Sequence, residues 1–152
     1  MYFTILTVLL LLLNCTWSIH GDDTNDNYNK FVQTFCMPNK TDTQTVRKVN
    51  QCSDESYKLL DEKHQKFFDK LKTFCRECVT GKDSEVKGYT LVDMSDTRVK
   101  STLIRYCWPS YVDCYVQKYK SLSDDDKKLA KDINNNNAND KFKECVNQVV
   151  KI

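Results

Sequence analysis

The chain has 152 residues, and its 23 basic and 21 acidic side chains leave a formal net charge of only +2. A balance this close supplies no basic stripe and therefore argues against a nucleic-acid partner. Eight cysteines in so short a chain instead indicate a disulfide-rich protein of the secretory route.

Residues 1–21 have the features of a signal peptide. The run 7–13 is an apolar core too short to span a bilayer, and small residues follow it. Cleavage after Ser18 or after Gly21 would remove Cys15 with the signal. No later apolar run approaches the roughly 20 residues of a transmembrane helix, so we expect no stable membrane insertion. The prediction is a secreted, extracellular protein with a single helical disulfide-rich domain over residues 22–152.

The cysteines that follow the predicted signal peptide are odd in number. An oxidising compartment favours their pairing, yet one must be left over. Either one thiol stays free, or one cysteine forms a disulfide-linked dimer, or an earlier cleavage retains Cys15. The seven predicted disulfide cysteines are Cys36, Cys52, Cys75, Cys78, Cys107, Cys114 and Cys145.

The first predicted elements are a short helix and a loop. Apolar residues between Tyr28 and Phe35 recur at helical spacing. Asn39-Lys40-Thr41 matches the N-glycosylation pattern, and its position after Pro38 predicts an exposed loop with a glycan at Asn39.

Two further helices are predicted before residue 81. Thr43 is the expected N-cap of the first, which runs to Cys52. Ser53 is the expected N-cap of a long amphipathic helix, with acidic residues in its first turn and Gly81 as its terminator. Gly88–Val92 is the only stretch that hints at a strand, and we interpret it as an extended linker.

The second half of the chain predicts further helices. One ends before Pro109, because the residue preceding proline disfavours helical backbone, and Pro109 begins the next. Ser123 is the expected N-cap of a helix that ends in the asparagine run 134–137, and a final helix carries Phe142 to Val149. The fold class is therefore all-α, a disulfide-stapled helical bundle of about five to six helices.

Short echoes relate the two halves. Phe35-Cys36-Met37-Pro38 resembles Tyr106-Cys107-Trp108-Pro109, and a lysine-rich segment precedes both Cys75 and Cys145. These echoes are either coincidence or the trace of duplicated helical units over 28–80 and 97–152. If the halves are duplicated, Cys36–Cys75 and Cys107–Cys145 are candidate bonds, although sequence alone cannot fix connectivity.

The residues offer little for catalysis or for cofactors. His64 is the only histidine after the predicted signal peptide, which excludes multi-histidine metal sites, and its place on an apolar helix face favours a structural role. Cys75-Arg76-Glu77-Cys78 has redox-motif spacing, but the βαβ context of that motif is missing. Zinc binding by Cys75, Cys78, Cys107 and Cys114 is disfavoured by the long gap in the second pair. We expect a protein that is not an enzyme and that has no catalytic residue, cofactor or metal.

Aromatic residues are concentrated around Cys107 and Cys114. Such residues dominate both protein cores and recognition hot spots, so two readings stay open. They either pack around a disulfide or form a partner-binding patch. The candidate partner-binding residues are Trp108, Tyr111, Tyr115 and Tyr119.

The block Cys107-Trp108-Pro109-Ser110-Tyr111-Val112-Asp113-Cys114, with the export signal and the helical body, resembles small cysteine-rich secreted effectors of arthropod saliva. Its cysteine–tyrosine–cysteine pattern is similar to the motif of the aphid bicycle proteins. Those proteins carry two such blocks, whereas Cys52 and Tyr57 in the first half have no near second cysteine. The resemblance implies a non-enzymatic effector or venom- or saliva-type protein that binds a host or other extracellular protein.

Two other functions are weighed against the effector. A secreted helical carrier of a small apolar ligand would have an internal pocket lined by Phe67, Phe68, Leu71 and tyrosines. A membrane-active role is disfavoured because no predicted helix is strongly cationic on its polar face.

Overall fold

The computed structural model of the protein describes residues 30–82 and 86–151. All regular secondary structure within these ranges is helical, which confirms the prediction of an all-α fold stapled by disulfides. The predicted signal peptide, residues 1–21, lies outside the described residues. The seven helical segments are α1 (30–35), α2 (Thr43–Tyr57), α3 (Glu62–Val79), α4 (Thr97–Cys107), α5 (Pro109–Lys120), α6 (Asp124–Asn134) and α7 (Asn137–Val150).

The boundary between α2 and α3 differs from the prediction. Ser53 lies inside α2, and the chain turns over residues 58–60 before α3 begins. The N-cap of α3 is Asp61, whose carboxylate accepts a hydrogen bond from the His64 backbone N–H at 3.0 Å. The sequence pattern hides this turn because Leu60, within it, is buried like the apolar residues of the helices on either side.

The other predicted helix ends are close to those observed. Gly81 follows α3 with a φ of 76°, the left-handed conformation typical of a residue just beyond a helix. Pro109 begins α5 directly after the end of α4. Ser123 caps α6 by accepting a hydrogen bond from the Asp126 N–H at 3.1 Å. Asp42, one residue before the predicted Thr43, is the N-cap of α2.

The segment predicted to be an extended linker is a series of turns. The Tyr89 N–H donates to the Val86 carbonyl at 3.2 Å, and the Val92 N–H donates to the Tyr89 carbonyl at 3.4 Å. Tyr89 and Val92 are both buried. The apolar residues that suggested a strand are therefore explained by burial of side chains within a compact connection.

Disulfides connect the first half of the chain to the second. Cys75 is disulfide-bonded as well, and none of the described cysteines is free. Of the three alternatives for the odd cysteine, a free thiol at one of these seven positions is contradicted, and no described cysteine is left to link two chains. The alternative that concerns Cys15 lies outside the described residues. The described bonds are Cys36–Cys107, Cys52–Cys145 and Cys78–Cys114.

The two bonds suggested by the echoes are not formed. Cys36 bonds to Cys107 instead of Cys75, so the two echo motifs lie against each other rather than closing separate units. The reason is packing between α1 and α4, where the rings of Phe35 and Tyr106 meet edge to face with centroids 5.5 Å apart.

Helices from both halves share one apolar core. Helix α2 packs against α7 and α4, and α3 packs against α4, α5 and α6. In the first half, one helix separates the motif that contains Cys36 from the lysine-rich segment before Cys75. In the second half, two helices separate the motif that contains Cys107 from the lysine-rich segment before Cys145. The duplication of units 28–80 and 97–152 stays a prediction. None of the described helices is long and apolar enough to cross a membrane.

Candidate functional site

The predicted aromatic patch on α5 is divided between the core and the surface. Tyr111 and Tyr115 are 0% and 1% exposed, and their ring centroids lie 5.9 Å apart. The prediction that these two residues bind a partner is therefore corrected, because neither side chain is accessible. Their spacing of four residues places them on one helix face, and that face is directed into the core.

The two tyrosine side chains are withdrawn from water. Desolvation by burial raises the pKa of the Tyr111 and Tyr115 phenols above the ordinary tyrosine value. The Tyr115 hydroxyl is buried, and within residues 30–82 and 86–151 it has no hydrogen-bond partner. Tyr111 and Tyr115 are therefore core packing residues with neutral side chains.

Trp108 and Tyr119 are the two predicted residues that reach the surface. Both are partly exposed, Trp108 just before the first residue of α5 and Tyr119 in its last turn. The Nζ of Lys82 lies 4.9 Å from the centroid of the Trp108 ring, within the range of a cation–π contact. Partial burial raises the pKa of the Tyr119 phenol. The structure thus leaves these two aromatic side chains available at opposite ends of one helix.

Trp108 belongs to a row of contacts between α3 and α5. The Cys78–Cys114 bond lies in the middle of the row, and Lys118 pairs with Glu77 at the other end. Later residues of α3 meet earlier residues of α5, so the two helices run antiparallel. We call this surface the α3–α5 seam; it consists of Phe74, Glu77, Cys78, Lys82, Trp108, Cys114 and Lys118.

The seam repeats one type of contact at both ends. The Nζ of Lys118 lies 5.9 Å from the centroid of the partly buried Phe74 ring, as Lys82 lies over Trp108. Ten residues of helix separate Trp108 from Lys118, a distance of about 15 Å at the normal helical rise. Two aromatic–lysine contacts thus lie about 15 Å apart on a surface fixed by a covalent bond.

A polar groove lies between α2 and α4. It has a volume of about 270 Å³, and ion pairs join Arg47 to Asp96 at 3.0 Å and Arg98 to Asp54 at 2.6 Å across it. The sequence does not reveal this groove, because the paired residues are 49 and 44 positions apart and share no motif. Each arginine here has an acidic partner, so these four residues provide no surplus charge for a ligand.

His64 lies in the first turn of α3. Its Nδ1 lies 2.7 Å from an Asp61 carboxylate oxygen, and its buried Nε2 has no hydrogen-bond partner in the part of the chain that the structure describes. The pKa of Asp61 is lowered, first by the hydrogen bond from the His64 backbone N–H and then by the His64 side chain. The contacts between Asp61 and His64 are those of a capped helix N-terminus.

The cysteines that suggested redox or zinc chemistry are in disulfides. Cys78 is bonded to Cys114, and Cys107 is bonded to Cys36. Thiolate ligands for zinc are therefore not available at these positions, which overturns the zinc reading. In residues 30–82 and 86–151, no group of three or more His, Cys, Asp or Glu side chains is placed to hold a metal ion.

The residues named for an apolar ligand pocket are packed in the core. Phe67, Phe68 and Leu71 are 4%, 1% and 1% exposed. The groove between α2 and α4 is lined by none of them.

The predicted glycosylation sequence lies in the turn between α1 and α2. Asn39 is exposed, as expected for an acceptor in a loop. Thr41, the third residue of the pattern, is buried. Glycosylation of Asn39 stays a prediction.

Comparison of the chain with protein-family models, with curated proteins and with solved structures found no match.

Proposed function

We propose that this chain is a secreted, non-enzymatic protein of the effector or saliva type that acts by binding a host or other extracellular protein. The observation that carries the proposal is the α3–α5 seam, with Trp108 partly exposed and Lys82 held over its ring. Tryptophan is among the residues most enriched in the small set that carries the free energy of protein–protein binding.

The seam combines apolar and cationic surface. Lys82 lies over the Trp108 ring, so an aromatic face and an ammonium group are presented together there, whereas the charge of Lys118 beside Phe74 is balanced by Glu77. A partner surface with an apolar pocket and acidic groups at its edge would complement both features.

The rigidity of the seam favours binding without a large entropic cost. The Cys78–Cys114 bond fixes α3 against α5, and the Glu77–Lys118 ion pair adds a second contact between the same helices. A surface already held in one conformation loses less freedom on association than a flexible one.

The test begins with the protein isolated from its source without denaturation. Native mass spectrometry of this sample, together with affinity capture from the extracellular fluid that the protein meets, would identify what it binds. The captured protein is then purified, and its dissociation constant is measured by calorimetry for wild type and for Trp108→Ala. Loss of an aromatic hot-spot residue costs about 2 kcal/mol or more, so we expect the Kd to rise about 30-fold.

Leu59→Ala is the matched control. Leu59 is 52% exposed in the turn before α3, and Phe74 lies twelve residues into that helix, about 18 Å from its start. Its replacement removes an accessible apolar side chain outside the seam and should leave the Kd unchanged. Equal affinity of the Trp108→Ala variant and wild type would refute the seam as the binding surface. A small apolar molecule that stays bound in the native spectrum would favour the alternative, a carrier of a small apolar ligand.

A further inference from the structure

The Asn39-Lys40-Thr41 sequence is divided by the fold into an accessible and an inaccessible part. Asn39 is exposed, whereas Thr41 is only 3% exposed. The Thr41 hydroxyl donates a hydrogen bond to the Phe35 carbonyl and accepts one from the Met37 N–H at 3.4 Å. A glycosyltransferase that reads this pattern needs the asparagine amide and the threonine hydroxyl together.

The backbone around Thr41 is also fixed. The N–H groups of Lys40 and Thr41 both donate to the Met37 carbonyl, at 3.0 and 2.9 Å, which closes a tight turn. Thr41 cannot leave this turn without breaking these hydrogen bonds and those of its hydroxyl.

The turn is joined to the core on its N-terminal side. Phe35 is 1% exposed and stacks on Phe31 with centroids 5.1 Å apart, and the adjacent Cys36 is bonded to Cys107. Release of the Thr41 hydroxyl therefore requires the segment 35–41 to separate from packed and cross-linked structure. Local opening of this kind is rare in a folded domain.

We infer that Asn39 is an N-glycan acceptor only before the segment 35–41 folds. In the transfer, Asn39 Nδ2 loses a proton to a base of the enzyme and bonds to C1 of the first sugar of a dolichyl-pyrophosphate-linked oligosaccharide. The bond from C1 to the pyrophosphate oxygen breaks, and dolichyl pyrophosphate leaves. The inference rests on the secretion that the proposed function includes, but not on any partner protein.

The order of synthesis leaves a defined interval for this reaction. Cys107 follows Asn39 by 68 residues (107 − 39), so the Cys36–Cys107 bond cannot form while those residues are still being added. At about 5–20 residues per second the interval lasts roughly 3–14 s. Transfer can occur during this interval and afterwards until the segment 35–41 folds. The amount of transfer in that time determines the fraction of chains that carry a glycan.

The experiment compares two forms of the same full-length mature chain. Protein made without glycosylation and with its disulfides formed is incubated with purified oligosaccharyltransferase and a lipid-linked oligosaccharide. The same chain, reduced and carboxymethylated, is the accessible form. The glycan is detected as a mass gain on the peptide that contains Asn39, and Asn39→Gln in both forms is the blank.

We expect transfer to the reduced chain and a rate roughly tenfold or more lower for the folded chain. Equal rates would overturn the inference, because the buried hydroxyl would then be no obstacle. An absence of transfer to the reduced chain would overturn it as well, since Asn39 would not be an acceptor in any state. Neither result bears on protein binding at the α3–α5 seam, so the two proposals can fail separately.

Discussion

Replacing Tyr115 by phenylalanine should make the protein more stable. The side chain is 1% exposed, and its buried hydroxyl has no hydrogen-bond partner among the described residues. Such a group loses its hydrogen bonds to water on folding and gains none in return, which costs about 1–3 kcal/mol. Tyr115→Phe removes this oxygen and keeps the ring that packs against Tyr111.

The expected gain lies at the lower end of that range. Removal of the oxygen also removes its van der Waals contacts and leaves a small gap, which offsets part of the benefit. We therefore expect the free energy of unfolding to rise by about 1 kcal/mol, which corresponds to roughly 3–5 °C in Tm for a chain of this size.

The assay is urea unfolding followed by circular dichroism with the disulfides intact. If the slope of the free energy of unfolding against urea concentration is unchanged, the substitution has changed stability and not the compactness of the folded or unfolded state. Tyr57→Phe is the matched control, because the Tyr57 hydroxyl donates to a carboxylate oxygen of Asp69 at 3.0 Å. This control should lose about 0–1 kcal/mol. A loss of similar size for Tyr115→Phe would refute the reasoning, since it would mean that the Tyr115 hydroxyl is hydrogen-bonded.

Three further predictions follow from the same structure. Burial raises the folded-state pKa of Tyr111 and Tyr115 above the unfolded-state value of about 10. The free energy of unfolding should therefore be independent of the ionisation of these two phenols below about pH 10 and should fall as the pH rises above it. Tyrosinate absorbance from these residues should therefore appear only with loss of the helical signal, and earlier ionisation would contradict their burial. Asp61→Ala should lower the Tm by removing the cap of α3, and an unchanged Tm would contradict that assignment. Replacing Cys78 and Cys114 together by alanine removes a disulfide that closes a loop of 36 residues. The free energy of unfolding, measured with urea, should fall by up to about 4 kcal/mol, and an unchanged value would count against the cross-link.

Helix ends were predictable where the chemistry of one residue determines them. Pro109 lacks a backbone donor and suits only the start of a helix, and Gly81 tolerates the left-handed backbone beyond α3. The boundary at Asp61 was missed because Ser53 offers an equally good capping side chain and Leu60 continues the apolar pattern.

Features that depend on contacts between distant residues were beyond sequence reasoning. The spacing of Cys36 and Cys75 suggested a bond within the first half, but packing of α1 against α4 determines the pairing with Cys107. Aromatic residues suit a core and an interface equally, so only the structure separates the buried Tyr115 from the partly exposed Trp108.

The cross-links between the two halves have a consequence for proteolysis. A protease that cuts one peptide bond anywhere between Cys78 and Cys107 produces two fragments, and all three described disulfides join one fragment to the other. The cut chain therefore stays one covalent molecule and separates only after reduction. A single cut in the connection between the halves therefore releases neither part of the α3–α5 seam.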